Sequence, residues 1–159
     1  MNGRYENGAL PEKVRLLYEA VLAMVTDGWD INRMKVSDIT AQAGIGKGTA
    51  YEYFSSKEEI IANAVLYDVE MRLAHVLEIT KGEGDFAGKF VQILTYMEEV
   101  FAKRQAFCLL VRIGTGSYEV SESMRRECEK RQQALGCHLA DRIVESLICL
   151  LYTSDAADD

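Results

Sequence analysis

Hydrophobic residues recur every three or four positions along most of this 159-residue chain, the spacing that places side chains on one face of an α-helix. The first such stripe follows Pro11, a residue that suits the first turn of a helix. It consists of Val14, Leu17, Val21, Met24 and Val25. The sequence has one proline and no alternating apolar run of strand length. The pattern therefore predicts an all-α protein.

The stretch from Val36 to Lys57 predicts two short helices with a tight turn between them. We expect helices over 36–42 and 47–53, because Gly44 can take the positive φ that ends one helix and turns the chain. The apolar residues that the two helices would share are Ile39, Ala43, Ile45, Ala50 and Phe54. The outer face of the second helix keeps Lys47, Gly48, Thr49, Tyr51, Glu52 and Tyr53. This arrangement is typical of a helix-turn-helix, whose second helix lies in the major groove of DNA.

The same stretch resembles the DNA-binding signature of the tetracycline-repressor (TetR) family, through D-I-x-x-x-A-G-I-x-K-G-T-x-Y-x-Y-F-x-S-K at residues 38–57. The resemblance implies a three-helix DNA-binding head over residues 9–56 and a helical ligand-binding and dimerisation domain over 57–148. It further implies a transcriptional regulator, in most members a repressor, that binds double-stranded operator DNA as a homodimer and responds to a small-molecule effector. Neither an enzymatic activity nor a cofactor is implied.

The resemblance also implies which residues contact DNA. Thr49 and Tyr51 would contact bases or phosphates, Tyr53 and Lys57 would contact phosphates, and Lys47 would read a base. The full predicted set is Lys35, Ser37, Lys47, Gly48, Thr49, Tyr51, Tyr53 and Lys57.

Each of these positions also has a plainer interpretation. The tyrosines could pack the head, Lys47 could be a solvated lysine, and Ser37 could be a helix cap or a solvent-exposed hydroxyl rather than a base contact. Gly48 weakens a helix relative to alanine, a cost that close approach of the backbone to DNA would offset. Glu52 could accept a hydrogen bond from cytosine or simply repel phosphate.

The net charge of −7 and the pI near 4.9 argue against general adhesion to nucleic acid. Between residues 33 and 57, however, four basic residues stand against two acidic ones. The surface predicted to read DNA is therefore locally positive. With so few cations in each head, we expect firm binding to need two heads and a defined site.

The rest of the chain predicts longer helices. Ser55 and Ser56, with Glu58 and Glu59 three residues on, make overlapping capping boxes for a helix that runs from near Lys57 to about Thr80. Further helices are expected over 86–104, 106–113 and 120–148. The first of these carries an apolar stripe that includes Phe90, Leu94, Val100 and Phe101, and the last turns Met124 and Cys128 inward. The last eleven residues, CLLYTSDAADD at 149–159, resemble a non-native tail. We therefore expect the chain to stop before the helices that build the family's dimer interface.

A ligand cavity in the second domain could be lined by Tyr67, Met71, Phe90, Tyr96, Met97, Phe101, Phe107, Met124 and His138. Any one of these is more often plain core. The four cysteines show no CxxC pairing, and no metal site is predicted.

Two alternatives to a DNA-binding regulator stay open on the sequence: an enzyme or metal protein built on Cys137 and His138, and a helical interaction module that does not bind DNA. No apolar segment reaches the length of a bilayer span and no signal peptide is evident, so no membrane contact and a cytoplasmic location are expected.

Overall fold

The computed structural model describes residues 10–103, 108–109, 112–113, 115–131 and 133, and every regular element within them is a helix. The helices are α1 (Glu12–Thr26), α2 (Val36–Gln42), α3 (Lys47–Tyr53), α4 (Lys57–Lys81) and α5 (Phe86–Ala102). Residues 122–131, here called α6, are also helical. The predicted all-α class is confirmed, and so are the predicted bounds of the two short helices.

The head is held together by the apolar stripe of α1. This helix packs against α4, α2 and α3, and its Leu17 and Val21 are fully buried. From the helix-turn-helix, Ile39 and Ala50 are equally buried, so the shared apolar side predicted for α2 and α3 is real. Truncating a core residue such as Leu17 to alanine typically costs about 2–5 kcal/mol.

The turn between α2 and α3 is a Schellman motif centred on Gly44. This residue has φ +67°, its N–H donates to the carbonyl of Ala41 at 3.2 Å, and the N–H of Ile45 donates to the carbonyl of Thr40 at 3.0 Å. These two bonds satisfy carbonyls that the end of α2 leaves open. They also fix the angle at which α3 leaves α2, which decides the face that α3 shows to solvent.

Helix α4 connects the head to the second domain. Its 25 residues span about 37 Å. Ser56 caps it, with its Oγ accepting from the Glu59 N–H at 3.1 Å. The carboxylate of Glu59 accepts from the Ser55 N–H at 2.8 Å, one residue before the cap. The observed capping therefore uses Ser56 and Glu59 of one predicted box and the backbone of Ser55 from the other. Ile60 and Ile61 lie in the same core as α1.

That core also contains residues of the second domain. Leu109, Ile113, Met124 and Cys128 are buried with the residues of the head in a single cluster. The head and the residues after position 57 therefore share one core. The division of the chain into two functional domains at residue 57 stays a prediction. The inward positions predicted for Met124 and Cys128 on the last helix are confirmed by their burial.

The stripe predicted on α5 is buried only in part. Val100 is buried, but Phe90, Leu94 and Phe101 are each about half exposed, because among the described helices α5 packs mainly on α4. Lys89 is unexpectedly buried and donates to the Thr80 carbonyl at 3.1 Å. Predictions for the end of the last helix and for the tail at 149–159 lie outside the described residues.

Within the described ranges, no helix is both long and apolar enough to cross a bilayer.

Candidate nucleic-acid interface

Helix α3 turns its polar face to solvent. Ala50 is its fully buried residue, whereas Tyr51 is 56% exposed and Tyr53 39% exposed. Lys47, Gly48 and Glu52 are also exposed, and Thr49 is partly so. The predicted outer face is therefore the observed one, and the alternative in which the tyrosines pack the interior of the head is wrong for Tyr51 and Tyr53.

A groove of about 500 Å³ runs beside this face, between the start of α2, α3 and the start of α4. It is lined by Asn32, Arg33, Met34, Lys35, Val36, Ser37, Lys47, Tyr51 and Lys57. Five of the eight predicted DNA contacts lie here. Four of the lining residues are cations and none is a carboxylate, so the lining has the sign of charge that phosphate needs. Two carboxylates stand close to these cations: Asp30 lies 3.8 Å from Arg33 and Glu58 lies 3.9 Å from Lys57.

Three predicted contacts, Gly48, Thr49 and Tyr53, lie on α3 but outside the groove lining. Arg33, by contrast, lines the groove without having been predicted as a contact. Its side chain is 88% exposed and lies 3.8 Å from the carboxylate of Asp30. The sequence showed how many basic residues this region contains but not which of them share a surface, so it could not assign Arg33 to the groove.

Lys57, which was predicted to contact phosphate, is already hydrogen-bonded within the protein. Its Nζ donates to the backbone carbonyls of Asn32 at 2.9 Å and Met34 at 3.1 Å. A lysine ammonium has three N–H donors, so these bonds leave one for another acceptor. Lys57 therefore ties the start of α4 to the loop before α2 and, at most, contacts phosphate with the donor that remains.

Ser37 does not cap α2. The residue at the cap position is Lys35, and its backbone N–H is held by the Asp38 carboxylate at 3.0 Å. The Ser37 hydroxyl lies 3.4 Å from the other oxygen of Asp38 and lines the groove. The structure excludes the cap, and the base contact at Ser37 stays a prediction beside the plainer interpretation of a solvent-exposed hydroxyl.

The residues predicted for an effector cavity differ in their neighbours and exposure, and the cavity itself stays a prediction. Tyr67 packs on Tyr18 at 5.6 Å between ring centroids, Tyr96 on His75 at 4.5 Å, and Phe90 on Phe86 at 5.9 Å. Met71 is 55% exposed, Met124 is in the core, and Met97 is partly buried on α5. Phe107 and His138 lie outside the described residues.

A second groove, of about 700 Å³, lies where the head meets the second domain. Trp29 and Asp30 line it from the head, and Phe101, Arg112 and Tyr118 line it from the other side. Phe101 is the one member of the predicted cavity found there. In the part of the chain that the structure describes, no three His, Cys, Asp or Glu side chains are grouped to hold a metal ion.

The sequence comparisons agree with this geometry. Residues 30–64 match the family model described as bacterial regulatory proteins, tetR family. The chain is 25% identical over 132 residues to YuxN, an uncharacterized HTH-type transcriptional regulator of Bacillus subtilis (strain 168), and the match covers 82% of this chain and 44% of that relative. The chain thus spans less than half the length of this relative. The helix-turn-helix and the cationic groove both fall within the matched residues 30–64, so this part of the chain is similar to the DNA-binding head of the tetR family of bacterial regulatory proteins.

Proposed function

We propose that the protein is a ligand-responsive transcriptional regulator, a repressor, that binds double-stranded operator DNA as a homodimer in the cytoplasm. The observation that carries this proposal is the groove beside α3, where Arg33, Lys35, Lys47 and Lys57 meet without a carboxylate in the lining. A chain with net charge −7 repels phosphate over most of its surface. A locally cationic surface next to an exposed helix is therefore best explained by DNA.

In this proposal α3 enters the major groove. Lys47, in its first turn, donates to guanine O6 or N7, and Tyr51 and the cations of the loop before α2 hold the flanking phosphates. Phosphate bonds fix the register of the helix, whereas the Lys47 contact depends on the base. Gly48 has no side chain and allows the backbone of α3 to approach the DNA closely.

Two linked heads complete the proposed mechanism. Each head offers few cations, so pairing two heads on half-sites one helical turn apart raises the overall affinity through effective concentration. A small molecule that binds the second domain would shift α4 and change the separation of the heads.

The test is a titration of labelled DNA from a randomised operator library at several salt concentrations. We expect sequence-preferring binding that weakens steeply with salt. Lys47→Ala should alter base preference at one position by about 1–3 kcal/mol, whereas Tyr51→Phe should weaken binding to all sequences about equally.

Lys81→Ala is the matched control, because it removes an exposed cation at the far end of α4 and should leave binding unchanged. Binding without sequence preference, or an unaltered preference in Lys47→Ala, would contradict the assignment of α3 as the reading helix. Absence of any salt-dependent binding would favour a helical module that does not bind DNA.

A further inference from the structure

The loop between α1 and α2 is attached to the second domain by two long-range hydrogen bonds. The Tyr118 hydroxyl donates to Asp30 Oδ1 at 2.7 Å, and Asn32 Nδ2 donates to the Glu119 carbonyl at 2.9 Å. The partners are 88 and 87 residues apart in sequence. We call these two bonds the clasp.

The same loop forms one wall of the cationic groove. Its residues 32–35 all line that groove, and Lys57 holds the loop from the DNA-facing side through the carbonyls of Asn32 and Met34. Asn32 takes part in both attachments, because its side chain donates to the second domain while its carbonyl accepts from Lys57. A displacement of the segment around Tyr118 is therefore passed directly to the wall that carries Arg33 and Lys35.

The chemistry of the clasp suits a firm attachment at neutral pH. Burial and the bond to Asp30 raise the pKa of Tyr118 to about 12, so its hydroxyl keeps its proton. The same bond, with one from the Asn32 N–H, lowers the pKa of Asp30, so its carboxylate is ionised. A hydrogen bond to an ionised acceptor is stronger than a neutral one. The Arg112 guanidinium, 5.3 Å from the centroid of the Tyr118 ring, adds a cation–π contact.

A third contact reinforces the attachment at the start of α4. Arg131 of α6 donates to Glu59 Oε1 at 3.3 Å, and Glu59 Oε2 accepts from the Ser55 N–H. Residues 118–131 thus contact both segments that flank the helix-turn-helix: the loop before α2 and the start of α4.

We propose that Tyr118 and Asn32 are positioning residues for DNA binding, which hold the wall of the cationic groove in place from the second domain. This rests on the proposed function. Neither residue needs to touch DNA through its clasp atoms; both act through the loop that carries Arg33 and Lys35. Any event in the second domain that displaces residues 118–119 from the head releases this wall and weakens DNA binding.

Tyr118→Phe tests the proposal, because it removes the donating hydroxyl and keeps the ring against Arg112. Operator affinity should fall roughly threefold to tenfold, the net loss typical of one intramolecular hydrogen bond at an exposed site. Asn32→Ala removes the other bond of the clasp but keeps the carbonyl that accepts from Lys57, and it should weaken binding in the same direction. Thr95→Val, which removes an exposed hydroxyl from α5 that bonds only to the Val91 carbonyl of the same helix, is the control.

A readout without DNA separates loop positioning from the proposed function. Trp29 is the single tryptophan of the chain. It precedes Asp30, lines the groove of about 700 Å³ and is 51% exposed. In Tyr118→Phe, quenching of its fluorescence by acrylamide should increase. Hydrogen exchange should accelerate at the amides of residues 33 and 34, which donate to the Asp30 carbonyl, while the amides of α1 keep their protection.

Three results would overturn the inference or its basis, and each is distinct. Unchanged quenching and exchange in Tyr118→Phe would show that the clasp does not hold the loop. A loosened loop with unchanged operator affinity would show that the clasp does not position the DNA-binding wall. An unsubstituted protein that binds no operator DNA would refute the proposed function, and with it any role of the clasp in DNA binding.

Discussion

Replacing Gly48 by alanine should make the protein more stable and a weaker DNA binder. A Cβ built at this position meets no atom of the protein within 4 Å, and the residue has a helical backbone within α3. The added methyl group therefore causes no clash and restricts the unfolded chain. The expected gain is about 0.5–1 kcal/mol, with the lower value favoured because Gly48 lies in the first turn of the helix.

The gain can be measured as a change in melting temperature. For a protein of this size, 1 kcal/mol corresponds to about 2–4 °C in Tm, so Gly48→Ala should raise Tm by about 1–4 °C. If α3 approaches DNA as closely as proposed, the same methyl group stands between the helix and the groove floor or a phosphate. We then expect operator affinity to fall by about tenfold, equivalent to about 1.4 kcal/mol.

Gly44→Ala is the matched comparison, since a Cβ there also meets no atom within 4 Å. Its φ of +67° is unfavourable for alanine, so this variant should be destabilised by about 1–2 kcal/mol. Melting followed by circular dichroism and DNA titration on the same samples would decide both cases. The reasoning fails if Gly48→Ala binds operator DNA as tightly as the unsubstituted protein, or if Gly44→Ala is as stable as it.

Three further outcomes can be checked by standard methods. Ser56→Ala removes the side chain that caps α4 and should lower the free energy of unfolding by about 1 kcal/mol in urea titrations; an unchanged midpoint would contradict the role of the cap. Burial and two neighbouring carboxylates raise the pKa of the Cys128 thiol. Alkylation at neutral pH should therefore be slower at Cys128 than at the partly exposed Cys108. Mass spectrometry can map the modified sites, and equal rates would show that Cys128 is accessible. The pKa of Asp30 is lowered in the folded protein, so its contribution to stability is present above the ordinary pKa of aspartate, near 3.9, and is lost as the pH falls through the lowered value. Asp30→Asn should therefore flatten the dependence of unfolding free energy on pH in acid, and an unaltered slope would refute the assignment.

Local sequence patterns determined the helices and the face that α3 presents. The bounds of α2 and α3 follow from a stripe of apolar residues and from Gly44, whose turn is closed by bonds spanning five residues or fewer. The cap of α4 is equally local, since Ser56 bonds to the N–H of Glu59 three residues on. Interactions over so short a range depend little on the rest of the fold, so the DNA-binding motif could be recognised from the sequence.

Tertiary structure decided which charges and apolar faces meet. Lys57 was predicted from the sequence as a phosphate contact, and the fold also binds its ammonium to carbonyls 25 and 23 residues earlier. Asp30 is held by a hydroxyl 88 residues later. The sequence predicted an apolar stripe on α5, yet Phe90 and Leu94 of that stripe are half exposed. A periodic pattern shows which side of a helix is apolar, whereas burial and hydrogen-bond partners depend on the elements that pack against that side, and only the folded chain brings those together.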